Sequence, residues 1–280
     1  MRTVATTLIR DKIADMSIIA NIEAQPFVTD AFEMSLKRES NPVARRILGQ
    51  LIDNYRIARE QHLPICQDTG CVAVYLEIGQ DVHFTGAPVE QMVHEGIRIG
   101  YDKGYLRKSM VKDPILRGNT GDNTPGMVHY TIVQGDTVRI SVLPKGAGCE
   151  SMSKIAMLKP ADGIDGIKKF VIDTIRTAGG NPCPPLFIGV GIGGSFEKVA
   201  SLAKEALLLP FDESSCLPHV AELEAQLLEE INNLQVGPQG LGGDTTALGL
   251  RVLTYPTHIA ALPVAVNISC HALRRETAVI

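Results

Sequence analysis

Five turn-like runs, each carrying glycine or proline, cut this chain: CQDTG at 66–70, RGNTGDNTPG at 117–126, PKGAGCES at 144–151, NPCPP at 181–185 and GPQGLGGDTT at 237–246. Glycine admits positive φ and proline removes an amide donor, so regular elements tend to stop at such points. The segments between them must therefore share their burial with neighbours brought together by the fold. Each run also holds side chains able to bind a ligand or a metal, and loops on a rigid scaffold are where sites are usually built. Any one of them, taken alone, reads equally well as a plain connection.

Apolar spacing predicts helices over 43–61 (Ile47, Leu48, Leu51, Ile52, Tyr55), 89–103, 164–177, 196–208 and 220–234. Short alternating or β-branched runs predict strands over 72–78, 186–192 and 259–268. A β-hairpin is expected over 127–143, with Val128, Tyr130 and Ile132 on one arm and Val138, Ile140 and Val142 on the other. Hydrophobic residues make up 45% of the 280, enough for a substantial core, and with no Trp and 5% aromatics that core must be aliphatic. No repeat, low-complexity linker or composition break divides the chain. The expectation is one mixed α+β domain over 1–280, with helices packed on short sheets.

Charge narrows the function classes. Lys plus Arg number 27 against 31 Asp plus Glu, a formal net of −4, which argues against nucleic-acid binding through bulk charge. No run approaches the ~20 continuous apolar residues of a membrane helix, and the N-terminus lacks a signal-peptide pattern. A soluble, cytoplasmic protein with no membrane or nucleic-acid partner is expected.

The run Gly189-Val-Gly-Ile-Gly-Gly194 fits G-x-G-x-x-G between a strand and a helix, which raises a nucleotide-binding module as one reading. That motif needs a second parallel strand ending in an acidic residue. Here Leu208-Leu209-Pro210-Phe211-Asp212 follows instead, and Pro210 opposes a central strand. Close helix–strand packing, or a ligand approaching the backbone, accounts for these glycines better.

The six cysteines are Cys66, Cys71, Cys149, Cys183, Cys216 and Cys270, with no C-x-x-C pair. By default each is a small buried hydrophobe. Cys183 stands apart, set between Pro182 and Pro184-Pro185 in a backbone short of amide donors. Cys66 opens CQDTG, and Cys270 follows a strand-like run just before His271 and Arg274-Arg275. Spacing alone leaves open whether these three meet.

CQDTG, KGAGCES (145–151), NPCPP, GPQGLGGDT (237–245) and the closing PTHIAALPVAVNISCHALRR (256–275) together resemble the iron–sulfur, class I fumarate hydratases, and equally the related L(+)-tartrate dehydratases, in their α subunit or N-terminal half. The resemblance runs from the helix before Cys66 to the C-terminus. It implies a [4Fe–4S] cluster ligated by Cys66, Cys183 and Cys270, on loops at one face, with Cys71, Cys149 and Cys216 as non-ligands. Three thiolates leave one iron open as a Lewis acid, which suits the addition or removal of water across a carbon–carbon double bond.

The resemblance further implies that Gln67, Asp68, Arg107 and Gly148 bind a dicarboxylate substrate, and that Asp68 and His258 are catalytic. Without it, Arg107 reads as a solvated helix-end charge and His258 as a hydrogen-bonded core histidine. Single-chain relatives carry further catalytic and substrate-binding groups in a C-terminal half. This sequence ends ten residues past Cys270, so a separate β subunit is expected, in an α2β2 assembly. The closing segment favours fumarate and (S)-malate as the substrate pair, with L(+)-tartrate, dehydrated to oxaloacetate, as the alternative.

Overall fold

In the computed structural model, which describes residues 1–280, three helices begin on a proline. These are α2 (Pro26–Arg38), α3 (Pro42–Gln61) and α8 (Pro218–Asn232). At the first helical position the missing N–H has no intrahelical partner to lose, and the fixed φ suits the helix. The elements before the first long loop are β1 (Arg2–Ala5), α1 (Thr6–Ile22), α2, α3, β2 (Cys71–Gly79), β3 (Val82–Thr85) and α4 (Val89–Lys103). After it come β4 (Met127–Val133), β5 (Val138–Lys145), the one-turn α5 (Ala147–Glu150), β6 (Lys154–Leu158), α6 (Gly163–Ala178) and β7 (Leu186–Gly193). The chain closes with α7 (Phe196–Glu205), α8, β8 (Ala247–Tyr255), β9 (Leu262–Ser269) and β10 (Glu276–Val279). The α+β class holds, and the five helices expected from periodicity are all present.

The chain gathers into two compact units. The first comprises Met1–Ala24, Asn54–Ala147 and Arg274–Ile280; the second comprises Gln25–Asp53 and Gly148–Leu273. Two of the passages between them fall inside helices, α3 and α5, which is why no composition break accompanies them.

In the first unit the sheet order is β10-β5-β2-β4, with β2 antiparallel to β5 and parallel to β4. The expected hairpin is therefore absent: its two arms exist, but β2 lies between them. The reason lies at the end of β2. Gly79 N–H donates to Thr137 O, Gln80 N–H to Val133 O and Asp81 N–H to Gly135 O, so the 134–137 turn bonds to β2 instead of closing a two-strand ladder. A Cβ on Gly79 would stand 2.4 Å from the Gly135 oxygen, so that strand end tolerates no side chain. Ile9, Ile13 and Met16 of α1 and Val93 and Ile97 of α4 share a core with Val72, Val74 and Leu76 of β2 and Ile140 and Val142 of β5.

The second unit is built on the sheet β6-β9-β7-β8, with β7 parallel to β8 and antiparallel to β9. Side chains alternate across a strand. Val264, Val266 and Ile268 of β9 join the core made with α6 and α8, while Ala265 joins Val199 and Ala203 of α7. On β7, Ile188 and Val190 face the larger core, which leaves Gly189 and Gly191 on the α7 side. There a Cβ on Gly189 would lie 2.1 Å from Ala203 O, and one on Gly191 2.3 Å from Val199 O. The glycine run is the surface against which α7 packs. The strand-like run expected from Ile259 begins only at Leu262, because Ala261 N–H closes a turn onto His258 O.

Candidate functional site

In the first unit, Cys66, Gln67 and Asp68 lie on the loop between α3 and β2, and polar groups hold that loop from beneath. Tyr101, buried on α4, donates its hydroxyl to Thr69 O at 2.6 Å and lies 3.1 Å from Gly70 O. Burial pushes the pKa of this phenol well up, so it stays a donor. Asn123 is fully buried and donates Nδ2–H to Gly70 O at 3.1 Å, while its Oδ1 accepts Ser109 N–H at 2.7 Å. Thr69 Oγ1 donates to the Arg107 carbonyl at 3.0 Å. These bonds tie the backbone of 107–109 to the Cys66 loop. The Arg107 side chain is left exposed.

Asp68 is oriented on both sides of its carboxylate. Oδ1 accepts Gly70 N–H at 3.1 Å and Oδ2 accepts Ala147 N–H at 2.9 Å. Beneath it, Arg274 is only 2% exposed; its Nη1 donates to the Asp68 carbonyl oxygen and reaches Asn21 Oδ1 at 3.2 Å. Gly70 has φ +74°, and a Cβ there would stand 2.3 Å from Lys145 O. Cys66, half-buried, lies with Sγ 3.3 Å from Gln67 Oε1.

In the second unit the Cys183 and Cys270 loops are joined directly: His271 N–H donates to Cys183 O at 3.2 Å. Cys183 is exposed and adopts φ +55°, a region that residues with side chains rarely use. Cys270 is half-buried at the end of β9. Gly148 is exposed, and a Cβ there would meet nothing nearer than Asn181 O at 3.9 Å. Neither packing nor a positive φ demands glycine at that position.

His258 lies in the turn that precedes β9. It is exposed, with Nδ1 accepting Ala260 N–H at 3.1 Å, so it is not a core histidine. It lines a cavity of about 510 Å³ with His219, Ile164, Ile259 and Leu262, and none of the other candidate residues lines it. No Arg or Lys borders this cavity, so it offers no cation to a dicarboxylate.

The remaining cysteines divide by environment. Cys149 is 4% exposed inside the α6–α8 core, Cys216 is exposed in the loop before α8, and none of the six forms a disulfide. Cys66 belongs to the first unit and Cys183 and Cys270 to the second. Neither unit by itself gathers three Cys, His, Asp or Glu side chains at the distance a single metal ion needs.

Residues 10–279 match the family described as "Fumarate hydratase (Fumerase)", and the chain belongs to that family of hydro-lyases. A Methanocaldococcus jannaschii protein named "Putative L(+)-tartrate dehydratase subunit alpha" is 39% identical over 273 residues, covering 95% of each chain. The Escherichia coli K12 protein named "L(+)-tartrate dehydratase subunit alpha" is 30% identical over 276 residues, covering 98% of this chain and 91% of its own. The family is typically iron–sulfur dependent.

The donor set fits such a cluster. Two thiols stand on adjoining loops with solvent access, thiolate is the ligand iron–sulfur clusters use, and the space over Gly148 is open. Sequence reasoning missed Tyr101, Asn123 and Arg274. Asn123 lies within a run noted for its turns, and Arg274 within the closing segment, but nothing local marks either as a support.

Proposed function

We propose that this chain is the α subunit of a [4Fe–4S]-dependent hydro-lyase, with Cys66, Cys183 and Cys270 as the cluster ligands and a β subunit completing the enzyme as α2β2. The observation that carries the reading is the sorting of the thiols. Cys183 and Cys270 stand on adjoining solvent-reaching loops, whereas Cys149 is core. When bound by three thiolates, the cluster supplies one iron able to act as a Lewis acid on a substrate hydroxyl and carboxylate.

The chain's own residues do the rest. Gln67 offers an amide donor and Arg107 an exposed guanidinium, the pairing that recognises carboxylates. With no side chain at Gly148, a substrate can come close to the backbone there and meet its N–H. Asp68, held by Gly70 and Ala147, has a fixed carboxylate that can contact substrate and assist proton transfer. His258 is the second proton-handling group. An oxygen-sensitive cluster suits the reducing cytoplasm.

Fumarate and (S)-malate are the first substrate pair to test, following the family match. The relatives' names make L(+)-tartrate, dehydrated to oxaloacetate, the second reading.

The test is anaerobic reconstitution of the α chain with its β partner, with iron and sulfide counted. Cys66→Ser, Cys183→Ser and Cys270→Ser should each abolish the cluster, while Cys71→Ser, Cys149→Ser and Cys216→Ser keep it. The reverse pattern overturns the ligand set. On the wild-type complex, kcat/KM for malate should exceed that for L-tartrate; a tenfold preference for tartrate, about 1.4 kcal/mol, would choose the second reading.

A further inference from the structure

The 182–185 stretch cannot anchor itself. Three of its four residues are proline, so the one amide it owns is that of Cys183, which donates to Gly180 O at 3.1 Å. Its position must be set through its carbonyls, by donors from elsewhere. Cys183 O accepts His271 N–H. Pro184 O accepts twice from one residue: the backbone N–H of Gln239 at 2.7 Å and the side-chain Nε2 of Gln239 at 2.9 Å. Both lone pairs of that carbonyl are thereby used.

Gln239 is itself braced. It sits at φ +56° within the glycine run 237–243, so a residue with a side chain occupies a position glycine would fill more readily. The next residue is pressed against the Cys183 loop, since a Cβ on Gly240 would lie 2.6 Å from Gly180 Cα. At the far end of the run, the buried Glu39 carboxylate accepts Asp244 N–H at 2.9 Å and Thr245 N–H at 3.0 Å.

We propose that Gln239 is a positioning residue for Cys183. By clamping the Pro184 carbonyl it holds Cys183 in its left-handed conformation and fixes where the thiol points. The inference rests on the reading of Cys183 as a cluster ligand, and its test separates the two.

In cluster-free α chain, the alkylation rate of Cys183 by iodoacetamide is measured by peptide mass spectrometry against Cys216, an exposed internal reference in another loop. Gln239→Met keeps the length and loses the amide; Gln239→Asn is too short to reach and serves if the Met variant misfolds. The expected result is a change in the Cys183-to-Cys216 ratio of about fivefold, the worth of one neutral hydrogen bond, with the thermal transition lowered by no more than about 4 °C. Gln239→Lys, which restores a donor, should bring the ratio back. In reconstituted complex, iron loss to a chelator should accelerate by a similar factor in the Met variant. An unchanged ratio in folded Gln239→Met overturns the inference whatever Cys183→Ser does. A Cys183→Ser complex that keeps its full iron content overturns the ligand reading instead, and leaves the alkylation result standing.

Discussion

Gly189–Gly194 and the Cys183 loop both look in sequence like ligand cradles, and they are built on opposite principles. In the first, neighbouring atoms fill the space where side chains would be: Ala203 O and Val199 O at Gly189 and Gly191, Tyr255 O at Gly193. Nothing is left for a nucleotide phosphate. In the second, Cys183 is exposed, its N–H donates to Gly180 O, and the carbonyls of Cys183 and Pro184 accept from His271 and Gln239. Clustered glycine thus says little by itself. What decides is the nature of the atom a Cβ would strike, protein backbone in one case and open space at Gly148 in the other.

The sharpest break of this contrast is a pair of glycine substitutions. Gly189→Val drives a branched side chain into the Ala203 carbonyl of a helix that cannot retreat without losing its own core. It should destabilise by about 3 kcal/mol, the upper end of the usual range for overpacking, or prevent folding outright. Gly148→Ala should stay within about 0.5 kcal/mol of wild type in urea unfolding, yet lower kcat/KM of the reconstituted complex by about tenfold or more, equivalent to about 1.4 kcal/mol. Equal unfolding midpoints for the two variants would mean that the contrast is drawn in the wrong place.

The same contrast governs what the sequence shows. Elements held by packing carry their own periodicity, so α4, α6, α7 and α8 could be read from Met92, Val93, Ile97, Ile167, Val171, Ile175, Val199, Leu223 and Leu227. Pairing partners do not show locally, and β4 and β5 were therefore read as neighbours although Val74 lies between Val128 and Val142. The loop motifs were legible as chemistry through resemblance. Their supports were not: Tyr101, Asn123, Gln239 and Arg274 act on carbonyls 31 to 206 residues away in the chain. A hydrogen bond to a distant backbone leaves no pattern around the donor.

A polar support can be broken without touching a core. Glu39 is 2% exposed and accepts from Asn41 N–H, Asp244 N–H, Thr245 N–H and Thr245 Oγ1. Glu39→Ala leaves those donors without their acceptor and should cost about 2 kcal/mol, smaller than the clash at Gly189 because water can enter a loop more easily than a packed sheet. Glu39→Gln, which keeps one accepting oxygen, should fall between. Urea unfolding ranks the three. If Glu39→Ala matches wild type, hydrogen bonds are not what holds the 237–246 run.

The smallest expected effect belongs to the ribbon between Met110 and Thr120, ordered by hydrogen bonds while its tip stays in solvent. Lys112 N–H donates to Gly118 O and Thr120 N–H to Met110 O, yet Ile115 and Leu116 are 86% and 85% exposed. At the tip, Asp113 Oδ1 accepts Leu116 N–H at 2.6 Å and Ile115 N–H at 2.8 Å, and these two bonds hold its pKa below the ordinary 3.8. A lowered carboxylate pKa stabilises the ordered tip above 3.8, and that contribution is lost as pH falls through the lowered value. In an acid titration followed by amide NMR, the Ile115 and Leu116 signals should move together with a midpoint below 3.8, with global unfolding at pH 7 unaffected by Asp113→Asn. The Asn variant should lack that step. A midpoint at or above 3.8 in the wild type would show that these hydrogen bonds do not order the tip, and would leave the ribbon without the kind of support that distinguishes the loops from the glycine-packed strand.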